Sequence, residues 1–263
     1  MNTIRKLLLM SAWILLASSQ TRPCAVALGS ALTPGQRQQM TAYFHAGPAA
    51  KVVTVGGPEH SAGNARLMSA ACVLVQVGTP DSGVQVRVYH ITQVSALMYA
   101  VALGAAGLDR DQVVVAAPFG ITGRGALPAV WAACQAAGQP VSPAGQRAAQ
   151  DELRLMVLVG KHGHDMDQAA RLFWGLSHDS QGLRDGPLRQ LAMGRAKRLG
   201  VTLTAGQAAE VARVMMTARA VHVHASTAPP RRHEMPQGLW HSWWRWAKEQ
   251  VCAVWIDVQH IFS

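Results

Sequence analysis

The chain has 263 residues, 49% of them hydrophobic and 14% charged, with a formal charge of +10. That length suits one large domain or a domain with an appendage, and the positive excess draws a protein toward anionic surfaces such as lipid head groups or wall polymers. The basic residues are spread along the sequence rather than gathered in a block, so nothing points to specific nucleic-acid binding, and no two of the four cysteines stand at C-x-x-C spacing, which excludes zinc-ribbon and thioredoxin-type chemistry.

In chain order the first segment, residues 1–27, reads as an export leader. Arg5 and Lys6 precede an apolar core from Leu7 to Ala17, shorter than the roughly 20 residues of a bilayer span, and Ala25-Val26-Ala27 offers a small-x-small cleavage site. A lipid anchor at Cys24 is not expected, because no apolar residue stands three places before it. Removal of residues 1–27 lowers the formal charge from +10 to +7 and leaves Cys72, Cys134 and Cys252. Cys72 and Cys134 sit in apolar surroundings and read as buried thiols.

"LTPGQRQQMTAYFHAG" predicts a helix capped by Thr33, with Pro34 at its first position, Gln36 closing a capping box, and Met40, Tyr43 and Phe44 at helical spacing. "KVVTVGG" (51–57) and the apolar "ACVLVQV" (71–77) read as strands. "VQVRVYHI" (84–91) alternates Val84, Val86 and Val88 with Gln85, Arg87 and Tyr89, as a half-buried strand does, and with the preceding strand it predicts an antiparallel hairpin. A helix over "TQVSALMYAVALGAAGL", a strand over "QVVVAAPF" (112–119), a glycine-rich turn and a helix over 124–138 follow.

From about residue 140 the signals are helical. Helices are expected from Pro143, from Asp165, over "GPLRQLAMGRAKRLG", and over "VTLTAGQAAEVARVMMTARAVHV", where Thr204 and Gln207 repeat the capping box. Residues 225–238 have the composition of a linker, and 239–263 form an amphipathic, tryptophan-rich helix. The expected architecture is therefore α+β. A small mixed sheet with packed helices (28–140) precedes an all-helical region (141–224), then a linker and the terminal helix.

"LTPGQRQQM", "VYHITQVSALMYAVALGAAGLDRDQVVVAAPFGITGRGAL" and "VTLTAGQ" resemble a secreted bacterial family, domain of unknown function 1002, over about residues 30–215. In that family the loop after the strand also opens Ala-Pro-Phe, as Ala117, Pro118 and Phe119 do here. The resemblance implies secretion and an origin in Gram-positive bacteria; it implies no reaction. The Trp-rich tail, the histidines and the strong positive charge depart from the family's pattern.

Several segments carry residues suited to chemistry. Gly120 and Gly125 have the separation of a phosphate-binding loop, but Ala126 and Leu127 replace the Lys and Ser/Thr that such a loop needs, and Pro128 breaks the dinucleotide pattern. What remains at Thr122, Gly123, Arg124 and Gly125 is a turn able to hold a small anion at a helix start, or a purely structural turn in which Thr122 caps the helix. His162, His164, Asp165 and Asp167 are the best metal-ligand candidates; the same residues also suit a helix end followed by a new N-cap. His222, His224 and His233 lack a fixed further ligand. Glu59, Asp81, Asp109 and Asp111 fall in predicted turns, and no G-x-S-x-G elbow supplies a nucleophile.

In the tail, Trp240, Trp243, Trp244 and Trp255 fall on one helical stripe, suited either to peripheral membrane contact or to docking on the domain or a partner. No catalytic residue is assigned and no cofactor is called for. The expected role is an exported, cell-surface-associated envelope protein that binds an anionic surface or a protein partner. A metal-dependent or other hydrolase and a small-anion binder are the alternatives.

Overall fold

The structure, a computed structural model, describes residues 23–47, 49–56, 70–79, 83–160 and 166–225. Five strands form a single sheet: β1 (Cys24–Gly29), β2 (Lys51–Val55), β3 (Cys72–Val77), β4 (Gln85–Ile91) and β5 (Asp111–Ile121), in the spatial order β2-β1-β3-β5-β4. Seven helices accompany them among the described residues: α1 (Pro34–Tyr43), α2 (Ala96–Ala105), α3 (Leu127–Ala136), α4 (Pro143–Gly160), α5 (Met166–Asp179), α6 (Asp185–Arg198) and α7 (Ala205–Ala225). The fold is α+β with a mixed sheet, as expected. No helix among the described residues is long and apolar enough to cross a membrane.

Two parallel pairs make up the sheet. Helix α1 connects β1 to β2, and α2 connects β4 to β5; β3 joins the pairs by running antiparallel to both β1 and β5. The expected β3–β4 hairpin is thus corrected. β5 lies between those strands, with Val73 opposite Val115 and Val86 opposite Val113. Burial explains the exchange. Val113, Val115, Ala116 and Ala117 of β5 are buried, and such a run needs cover on both faces. In β4, Gln85, Arg87 and Tyr89 are exposed, which suits an edge.

The described chain is already packed at its start. Ala25, Val26 and Ala27, read as a cleavage site, are fully buried in β1 and pair with β2 on one side and β3 on the other. The order begins even earlier, since the Val77 amide donates to the Pro23 carbonyl at 3.0 Å. A leader ending at residue 27 would take most of an inner strand with it.

Helices cover the two faces unequally. Ala25, Ala27, Val73, Val75, Val113 and Val115 belong to the main core with α2, α3 and the later helices, while Val26, Leu28, Cys72 and Ala116 pack with Leu32, Met40 and Phe44 around α1. Tyr99 of α2, Phe173 of α5 and Leu188 of α6 lie in that same main core, so the helical region and the sheet share one interior and one compact unit extends to Ala225. Residues 226–263 lie outside the described residues.

Candidate functional site

The glycine-rich turn is built from the inside. β5 runs on through Gly120 and Ile121, and Gly123 follows at φ 89°, capping a single 3-10 turn (Arg124–Ala126) that leads into α3. Thr122 does not cap it: no side chain caps either helical segment here, a correction to the expected role. The Gly123 carbonyl instead accepts from the buried Tyr99 hydroxyl and from the Ala126 amide, the latter at 3.0 Å. Arg124 is exposed and donates to Gln93 Oε1 at 3.3 Å. These contacts tie β5, α2 and α3 together, which is the geometry of a structural turn.

Of the metal-ligand candidates, His162, His164 and Asp165 lie outside the described residues, as do the side chains of His222 and His224 and all of His233. Asp167 is placed in the first turn of α5, half-buried, where a carboxylate suits the helix dipole. Among the described residues no three His, Cys, Asp or Glu side chains converge as a metal site would need. Trp240, Trp243, Trp244 and Trp255 also lie outside the described residues.

Two carboxyl groups are buried where the sequence suggested surface or gave no signal. Asp111, expected in a turn, opens β5 and is fully buried. With its amide nitrogen facing the carboxylate, Gln139 donates to both Asp111 oxygens at 3.2 Å. Burial pushes the Asp111 carboxyl up to about 6, against the pull of neighbouring Arg110. Glu152 in α4 is 1% exposed, and no hydrogen-bond partner for its Oε2 is present among the described groups. Burial alone raises its carboxyl to about 8, so it is largely protonated at neutral pH. Cys72 and Cys134 are buried free thiols, pushed up to about 11 and about 12, which makes them poor nucleophiles.

The most distinctive surface feature is aromatic. Tyr43, at the last position of α1, stacks on Tyr89 of the edge strand β4 with ring centroids 5.0 Å apart, and Tyr89 in turn stacks on His90 at 3.9 Å. Phe44 meets Tyr43 edge-on at 5.6 Å and anchors the group to the core beneath α1. Both tyrosines remain open to solvent, at 42% and 44%. Arg87 precedes Tyr89 by two residues and so points from the same face of β4. Its charge lowers the Tyr43 phenol, although burial and Tyr89 together outweigh it and the net shift is upward.

His90 holds the platform's outer end in a strained backbone. Its φ is 58°, in the left-handed region, at an irregularity where the β4–β5 register shifts between Tyr89 and Ile91. The His90 Nδ1 donates to the Ala117 carbonyl at 3.0 Å, pinning the ring. Ring faces, phenols, an imidazole and a guanidinium give this site stacking surfaces, hydrogen-bonding groups and positive charge.

The β4 alternation marked Arg87 and Tyr89 as outward-facing. Tyr43 was grouped with the helical stripe of Met40 and Phe44, whereas those two are buried and Tyr43 is exposed. Only the packing of α1 on the sheet brings Tyr43 to Tyr89.

Residues 28–228 match the family described as a protein of unknown function, DUF1002. The chain belongs to this family. No curated protein and no solved structure matches it. The DUF1002 match takes in Leu28 and Gly29 of β1, strands β2 to β5, the turn at Gly123 and the seven described helices, so the aromatic platform lies inside the family region. The name carries no activity, and the functional reading rests on the chain's own surface.

Proposed function

We propose that this DUF1002 protein is exported to the cell envelope and acts there as a non-enzymatic binding protein for an anionic surface. The Tyr43–Tyr89–His90 stack beside Arg87 carries the reading: three rings at the surface with a guanidinium on the same strand face offer both apolar contact and charge. Aromatic rings of this kind favour the wet, half-apolar layer of lipid head groups, where one end of the ring is dry and the other hydrated. The chain's net charge supports it at longer range: the helical segment 143–225 has eleven Lys and Arg against seven Asp and Glu. The tail, with Trp240, Trp243, Trp244 and Trp255, supplies a second apolar contact in this reading.

Sedimentation with vesicles tests it. The full chain is expected to bind phosphatidylglycerol vesicles and not neutral phosphatidylcholine ones. Tyr89→Ala and Arg87→Glu should each weaken binding several-fold without changing the far-ultraviolet spectrum. Deletion of residues 239–263 measures the tail's share separately. Equal binding to neutral vesicles, or no effect of either platform variant, would remove the platform from the function and leave a protein partner as the better class.

A further inference from the structure

Helix α1 covers its face of the sheet only in part. On that face the strand registers line up in three rows. The first runs Thr54–Leu28–Cys72–Ala116–Tyr89 and the second Val52–Val26–Leu74–Val114–Arg87. The third runs Cys24–Gln76–Gln112–Gln85. α1 lies across the first row from edge to edge: Arg37 Nη1 donates to Thr54 Oγ1 at 3.0 Å over β2, and Tyr43 stacks on Tyr89 over β4. Exposure rises away from the helix. Leu28, Cys72 and Ala116 are buried, whereas Leu74 and Val114 are half-buried and Val52 is 53% exposed. Beyond them Gln76 and Gln112 are half-buried and Gln85 is exposed. A shelf therefore runs beside α1, with an apolar floor and a rim of three glutamines, and the Tyr43–Tyr89 platform stands at its β4 end.

The chemistry of the shelf is of one kind. No Asp or Glu stands in the three rows or in α1, while Arg37 and Arg87 are cationic, so the charge complements an anion. Arg87 lies between Tyr89 and Gln85 along β4 and beside Val114 of β5. Adjacent strands are about 4.8 Å apart and successive rows roughly 7 Å apart. One phosphate at Arg87 thus has rings on one side and the Gln85–Gln112 pair on the other. Neutral amides add nothing for a bare phosphodiester; they both donate to and accept from hydroxyls. A head group ending in ammonium would instead meet the Arg87 charge. We propose that the shelf selects anionic lipids whose head group carries hydroxyls, phosphatidylglycerol being the type: Arg87 takes the phosphate, Gln85 and Gln112 the glycerol hydroxyls, and Val114 and the tyrosines the apolar part next to them.

This rests on the anionic-surface reading, and the two fail differently. Phosphatidylcholine vesicles are prepared with equal fractions of either phosphatidylglycerol or phosphatidylmethanol. Both lipids carry one phosphodiester charge, and only the first has head-group hydroxyls. The full chain is expected to bind the phosphatidylglycerol vesicles about fivefold more tightly, a ratio within reach of one or two neutral hydrogen bonds. Gln85→Leu/Gln112→Leu should erase that preference, and Gln85→Leu alone, on the exposed edge strand, should lower it in part. Equal binding of the wild type to the two lipids overturns the head-group assignment and leaves the anionic-surface reading in place. Binding to neither overturns that reading itself. A preference that survives the double variant, with its unfolding transition intact, overturns the assignment to Gln85 and Gln112.

Discussion

At φ 89°, Gly123 adopts a backbone that side-chain-bearing residues resist, and a Cβ there would intrude on Ile91 Cγ2 and come within 2.9 Å of the Tyr99 hydroxyl. Gly123→Ala is therefore expected to cost about 2–4 kcal/mol, from backbone strain and forced displacement in a packed site. Tyr99→Phe leaves the shape intact but removes the donor to the Gly123 carbonyl, with an expected cost of about 1–3 kcal/mol. Urea unfolding of both variants checks these values, and a neutral Gly123→Ala would show that the turn is not held as described. Glu152 acts through pH. An ordinary glutamate gives up its proton near 4.5, whereas burial holds the folded carboxyl to about 8. Between those values the folded state binds the proton more tightly, so stability falls as pH rises through that window and levels off above it. Asp111 adds to the same trend up to about 6. Glu152→Gln keeps the size and removes the titration, so its stability should decline less than the wild type's between about pH 5 and pH 8. Parallel pH curves for the two proteins would contradict the buried, protonated state.

At the scale of elements, helix starts were the most legible part of the sequence because capping is local. Thr33 Oγ1 accepts from the Gln36 amide at 3.3 Å while Gln36 Oε1 accepts from Thr33 at 3.0 Å, and Thr204 with Gln207 repeats the arrangement at 3.2 and 2.9 Å. Strand β1 was the least legible. The end of a leader and a tightly packed inner strand both call for small apolar residues, and "AVA" satisfies either. The two readings differ in a measurement on purified protein. A chain made to begin at Gln20 should unfold cooperatively, and one made to begin at Leu28 should lose that transition, because β2 and β3 no longer have the strand between them. Equal transitions would mean that the sheet closes without Cys24 to Ala27.

At the scale of the whole molecule, the proposed surface binding combines charge and contact. In that reading the positive excess acts over distances comparable to the screening length, about 8–10 Å at ordinary ionic strength, while the Tyr43–Tyr89 platform acts on contact. Binding to anionic vesicles should thus weaken several-fold as salt is raised, and the fraction that persists should be the part sensitive to Tyr89→Ala. Salt-independent binding would assign the interaction to apolar contact alone. By itself the sequence determined the α+β class, most of the described elements, two capping boxes and the family, since periodicity, caps and motif order are properties of neighbouring residues. Only the tertiary structure decided that β5 rather than β4 lies beside β3, that Ala25 to Ala27 belong to the interior, and that Tyr43 meets Tyr89. Each of those depends on which distant segment covers an apolar face, and local spacing does not encode that choice.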